Sequence, residues 1–163
     1  MSRVLISLLG MMRLRSGPQD LPAGRNLMLA LASAYVAGGF LAGNVMNDPD
    51  FAPSALLSIG VQFGFITILL NVRGFQARVQ QTIAALSGVG LVFGLLSTWL
   101  LSMVDVENPQ AGLAAAYFGL FFWSLAVDGH IYRHSLSSKM GTGVLIAVII
   151  FTINFVLLRA LFS

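Results

Sequence analysis

The chain has 163 residues, of which 57% are hydrophobic and 9% charged, with a formal net charge of +3 and no cysteine. Soluble domains carry roughly a quarter charged residues, and one core of this size cannot hide so much apolar surface from water. The absence of cysteine excludes disulfides, thiolate catalysis, Cys-ligated zinc and iron–sulfur clusters.

Val4–Met12 is apolar and follows Arg3, but it runs into Arg13-Leu14-Arg15 rather than a small-residue cleavage site, which argues against a cleaved signal peptide. Leu5, Leu8, Leu9 and Met12 recur at helical spacing and predict a short interfacial amphipathic helix. Lying in the headgroup layer, it would turn Arg3, Arg13 and Arg15 toward anionic lipid. Pro18 and Pro22 then break the helical pattern. Residues 1–25 read as this helix and its linker, and residues 26–163 as a membrane domain.

Five apolar stretches follow: Leu27–Met46, Ser54–Val72, Thr82–Val104, Ala111–Val127 and Val144–Phe162. Each approaches the roughly 20 residues that a helix needs to cross the hydrocarbon core. The expected fold is all-α, a polytopic bundle of five transmembrane helices behind the interfacial helix. The fourth stretch is short and ends against Asp128, so no charged side chain is expected at mid-membrane depth.

The loops alternate in sign. Asn47–Asp50 and Asp105–Pro109 are acidic turns, whereas Arg73–Arg78 and His130–Lys139 are basic. Of the nine Lys and Arg residues, all but Arg159 fall on one side when five spans are threaded: Arg3, Arg13, Arg15, Arg25, Arg73, Arg78, Arg133 and Lys139. That asymmetry places the N-terminus in the cytoplasm and the C-terminus across the membrane, in the periplasm if the membrane is a bacterial inner membrane. The basic residues therefore mark orientation rather than a nucleic-acid surface.

Small residues recur four apart, as in Ala30–Ala34–Gly38, Gly60–Gly64, Gly90–Gly94 and Ala115–Gly119. Helices in lipid associate by close backbone approach, so Gly60, Gly64, Gly90 and Gly94 are expected at packing seams, with self-association as the alternative. Asn44, Gln62 and Asn154 are amides inside the spans and call for interhelical partners. The densest polar segment is Asp128-Gly129-His130-Ile131-Tyr132-Arg133-His134. His130 and His134 share a helical face, but further metal ligands are missing nearby and Asp128 projects elsewhere. His130, Arg133 and His134, with Asp20 as counter-charge, instead form a candidate contact for a partner protein or an anionic lipid headgroup. No catalytic triad, paired carboxylates, phosphate loop or nucleotide motif is present, so neither enzymatic activity nor a cofactor is expected.

Five spans, a short cytoplasmic N-terminal part and no catalytic set resemble the Yip1-domain membrane proteins. Gly17–Pro22 and Trp123–Leu136 are similar to stretches in small bacterial members of that broad type. The resemblance implies a non-enzymatic integral membrane protein; short loops, packing glycines and the lack of a reactive set favour a scaffold or accessory subunit whose surroundings are the bilayer and a membrane partner. A small-solute transporter or channel using Gln62 and Asn154 is the alternative. For the topology, reporter fusions at Asn108 and Ser138 should report opposite sides of the membrane, with Asn108 outside; equal sidedness would break the five-span threading.

Overall fold

A computed structural model describes residues 2–105, 108 and 110–162. Glu107, with Val106 and Pro109 of the second acidic turn, lies outside the described residues. Six α-helices and no strand occur among the described residues: α1 (Ser2–Met12), α2 (Arg25–Met46), α3 (Phe51–Val72), α4 (Val79–Leu101), α5 (Ala111–Ser135) and α6 (Met140–Leu161). Helices α2 to α6 are each long and apolar enough to cross a membrane. At 22 residues, α2, α3 and α6 reach about 33 Å, slightly more than a hydrocarbon core of about 30 Å. The chain is an integral membrane protein.

The helix ends follow local chemistry. Asn47 takes a left-handed φ of 52° after α2, and Gly74 does so at 76° after α3. Glycine and asparagine bear that conformation with little strain, which is why helices stop at them. Pro53 falls within the first turn of α3, where no intrahelical donor is lost. The largest departure from the expected spans is α5, which does not stop at Val127 but continues through Asp128 to Ser135. Asp128 thereby lies about 10 Å inside the helix end rather than in a loop.

Helix α4 is the centre of the bundle. Thr82, Ala84 to Val89 and Phe93 are all buried, and their small side chains let α2, α5 and α1 come close. Ser87 returns its hydroxyl to the Ile83 carbonyl (2.7 Å), so the buried donor is satisfied within the helix. On α2, Gly38 faces Leu91 of α4, and Gly39 faces Ala55 of α3.

The N-terminal helix departs from its expected orientation. Leu8 and Met11 enter the core, whereas Leu5, Ile6 and Leu9 face outward. The expected Leu5/Leu8/Leu9/Met12 face is therefore divided between protein and surroundings. Leu8 sits on Gly88, about 13 Å along α4, and the Trp123 indole of α5 donates to the Met12 carbonyl (3.1 Å). The chain then reverses at Leu14, with φ of 59°, and Arg15 N–H donates to the Gly10 carbonyl (2.8 Å).

Glycine packing also differs from the spacing rule. A Cβ added at Gly60, Gly64 or Gly94 would meet nothing within 4 Å, so the expected seams at these three are not where helices touch. Gly90 does meet a neighbour, the Tyr35 ring at 2.8 Å. The tightest crossing joins α5 to α6: a Cβ at Gly143 would collide with the Gly129 carbonyl oxygen, and one at Gly129 would lie 2.9 Å from Val144 Cα. These atoms are backbone and cannot yield as a flexible side chain would. Gly143→Ala and Gly129→Ala should each destabilise the protein by about 1–3 kcal/mol. Gly60→Ala and Gly64→Ala should be neutral or stabilising by up to about 1 kcal/mol through helix propensity. Thermal unfolding of the four variants in detergent checks the order.

Candidate functional site

The basic end of the bundle gathers the linker, the turn before α4 and the end of α5. Pro18 opens a 3-10 turn, Pro18–Asp20, which is closed by Asp20 Oδ2 accepting the Gly17 N–H at 2.8 Å. The Ser7 hydroxyl donates to the Asp20 carbonyl and the Ser16 hydroxyl to the Ser7 carbonyl, binding linker to α1. Gln81 Nε2 of α4 donates to the Leu21 carbonyl (2.8 Å), and Leu21 is buried. The linker is thus a built part of the protein.

Arg78 joins the two basic loops. Its Nη1 donates to the carbonyls of His134 (3.3 Å) and Ser135 (2.9 Å) and to Ser137 Oγ (2.7 Å). A cation suits the last carbonyls of α5, which lack intrahelical partners and carry the negative end of the helix dipole. The Phe75 ring, 4.4 Å below the guanidinium, holds it in place. Thr82 Oγ1 and Ser135 Oγ, both buried, lie 2.9 Å apart and complete this junction.

Between these groups lies a cavity of about 380 Å³, walled by Arg78, Arg133, His134, Ser137 and Ser138 with Gln19, Gln81 and other linker and α4 residues. Among the described residues no carboxylate lines it. Arg133 Nε and Ser138 Oγ are buried and have no hydrogen-bond partner. Arg133 Nη2 donates to His134 Nε2 at 3.2 Å. Gln19 Nε2 lies 3.4 Å from His134 Nδ1.

The four residues expected to form one site are divided by the structure. Arg133 and His134 line the cavity. His130 is 2% exposed and donates from Nε2 to the Ser16 carbonyl (2.9 Å), so it anchors the linker. Its ring meets His134 edge-on at 4.6 Å. Asp20 uses its carboxylate on the linker's own backbone and does not line the cavity, while its negative charge still acts on His134. Arg78, Ser137 and Ser138 were not singled out for this site. The spacing of Arg78 gives no sign that it reaches across to another loop.

Asp128 and Gln62 form a second polar centre, within the bundle. Gln62 Nε2 donates to Asp128 Oδ2 (3.3 Å) and to Tyr132 Oη (2.9 Å). Gln62 lies midway along α3, so the absence of charge at depth expected from the spans does not hold: a carboxyl reaches the interior. A cavity of about 290 Å³ surrounds this group and is also lined by Tyr35, Ser58, Ser124 and Asn154.

No protein-family model, curated protein or solved structure matches the chain. For the linker anchor, His130→Ala should cost about 1–3 kcal/mol by removing a buried partner of Ser16. Amide exchange should rise across residues 13–22 while the centres of α3 and α6 stay protected.

Proposed function

We propose that the protein is a non-catalytic scaffold or accessory subunit of a membrane system, working at its basic, cytoplasmic face by holding the phosphate of an anionic lipid headgroup. The carrying observation is the cavity lined by Arg133 and Ser138, whose Nε and Oγ are buried and unpartnered, with no carboxylate among the described residues of its wall. Guanidinium and hydroxyl donors match phosphate oxygens, and charge-assisted bonds of this kind are roughly twice as strong as neutral ones. The location fits too, since the cavity lies at helix ends, where lipid phosphates sit and where the positive-inside asymmetry concentrates basic residues. A bound headgroup would touch α4, α5 and the linker together, a suitable platform for a membrane partner.

The resemblance to Yip1-domain proteins adds to this reading only the expectation of a non-enzymatic protein of the inner membrane. A small-solute carrier is the second reading, favoured by the Asp128–Gln62 cavity in the bundle.

Native mass spectrometry of protein released from vesicles of phosphatidylglycerol and phosphatidylcholine tests the headgroup site. Wild type should retain phosphatidylglycerol preferentially. The double variant Arg133→Gln/Ser138→Ala should lose that preference by about tenfold, equivalent to about 1.4 kcal/mol, with its unfolding temperature nearly unchanged. Equal retention by variant and wild type would reject the site.

A further inference from the structure

The cavity within the bundle has a chemistry different from that of the basic end. Its lining includes one carboxyl, Asp128, and no lysine, arginine or histidine. The titratable or polar groups that line the cavity with Asp128 are Tyr35 from α2, Gln62 and Ser58 from α3, Tyr132 and Ser124 from α5, and Asn154 from α6; among the described residues none on the wall is cationic. A carboxylate at the centre of a membrane helix costs about 2.5–3.5 kcal/mol even on the mildest scale. One amide N–H at 3.3 Å does not offset that fully. Asn154 Oδ1 is a buried acceptor without a donor. The site thus holds a sparsely partnered carboxyl and an unused acceptor, and a positive charge that also brings N–H groups would satisfy both.

The wall selects among cations. Phe121 and Phe151 meet edge-to-face at 5.1 Å, Phe151 and Phe155 stack at 6.4 Å, and all three line the cavity. Aromatic faces attract organic cations, whereas a metal ion wants a shell of six or so oxygens. The volume of about 290 Å³ lies near the lower end of small-molecule sites, about 300–1,000 Å³. Phe155 and Leu158 also wall a cavity of about 520 Å³ at the acidic end, lined by Asp48 and Asp50 along with Arg159. The two cavities adjoin there, and two carboxylates against one guanidinium leave the entrance net negative, which concentrates cations.

We propose that the cavity formed by Asp128, Gln62, Tyr132 and Asn154 is a binding site for a small lipophilic protonated amine, entered from the acidic end. The ammonium pairs with Asp128, donates to Asn154 Oδ1 and rests its apolar part on the phenylalanine wall. This site is independent of headgroup binding at the basic end, and its test does not use Arg133.

Isothermal titration of the purified protein in nanodiscs with phenethylammonium, the neutral phenethyl alcohol and sodium chloride decides the matter. Saturable binding of phenethylammonium alone is expected. Asp128→Asn should weaken it by at least about tenfold, about 1.4 kcal/mol, and Asn154→Leu and Phe151→Leu should weaken it several-fold. If Asp128→Asn does not fold, the Asn154 and Phe151 variants carry the test, and wild-type affinity in both overturns the proposal. Equal binding of the alcohol, a response to sodium instead of the amine, or no saturable binding by wild type would each overturn it as well.

Discussion

Helix α5 can take only one rotation about its axis, because at Gly129 it lies against the backbone of α6. A side chain at Gly143 would occupy the position of the Gly129 carbonyl oxygen, and one at Gly129 would press on Val144. Lipid offers helices little hydrophobic reason to associate, so close backbone contact has to supply it. With α5 fixed there, the adjoining side chains have no choice of direction. Asp128 turns to Gln62 on α3, His130 to the linker carbonyl of Ser16, and Arg133 and His134 into the basic cavity. One short segment thus serves three sites because the helix sends successive residues about 100° apart.

The same geometry explains what the sequence could and could not reveal. Five spans were legible because hydrocarbon thickness imposes a length that composition alone displays. The end of span four was not, because Asp128 reads as the edge of the bilayer unless Gln62 is known to face it. Sequence separation hides that pairing: Gln62 and Asp128 are 66 residues apart. The glycine seams failed for a related reason. Spacing of four on one helix marks a smooth stripe, but a crossing requires a small residue on each of two helices at one height, and Gly129 and Gly143 have no common period. Gly60 and Gly64 share a stripe that meets nothing.

The N-terminal segment is a similar case. Its amphipathic pattern is real, yet both sides of α1 are apolar enough to face either lipid or protein. Met11 is fully buried, and Leu9 is 51% exposed. What decides is the partner surface, where Gly88 leaves room for Leu8 and Trp123 supplies a donor to the last carbonyls of α1. The buried ends of the linker, Pro18 and Leu21, then complete the docking. Cleavage or displacement of this segment would unmake the basic cavity, since Pro18 and Gln19 form part of its wall.

Tyr132 lines the cavity within the bundle and not the basic one. Its ring is 1% exposed, its hydroxyl accepts from Gln62 on the interior side, and Ile131 and Ser135 beside it are buried toward α4. Arg133, the next residue, belongs to the other cavity. If Arg133 shared a cavity with Asp128, a buried ion pair would close both sites and leave neither with an unmet charge. With Arg133 on one cavity and Asp128 on the other, the basic end keeps a cationic cavity and the bundle an acidic one. The bundle therefore carries opposite charge preferences along a single helix, set by the one rotational position that Gly129 permits.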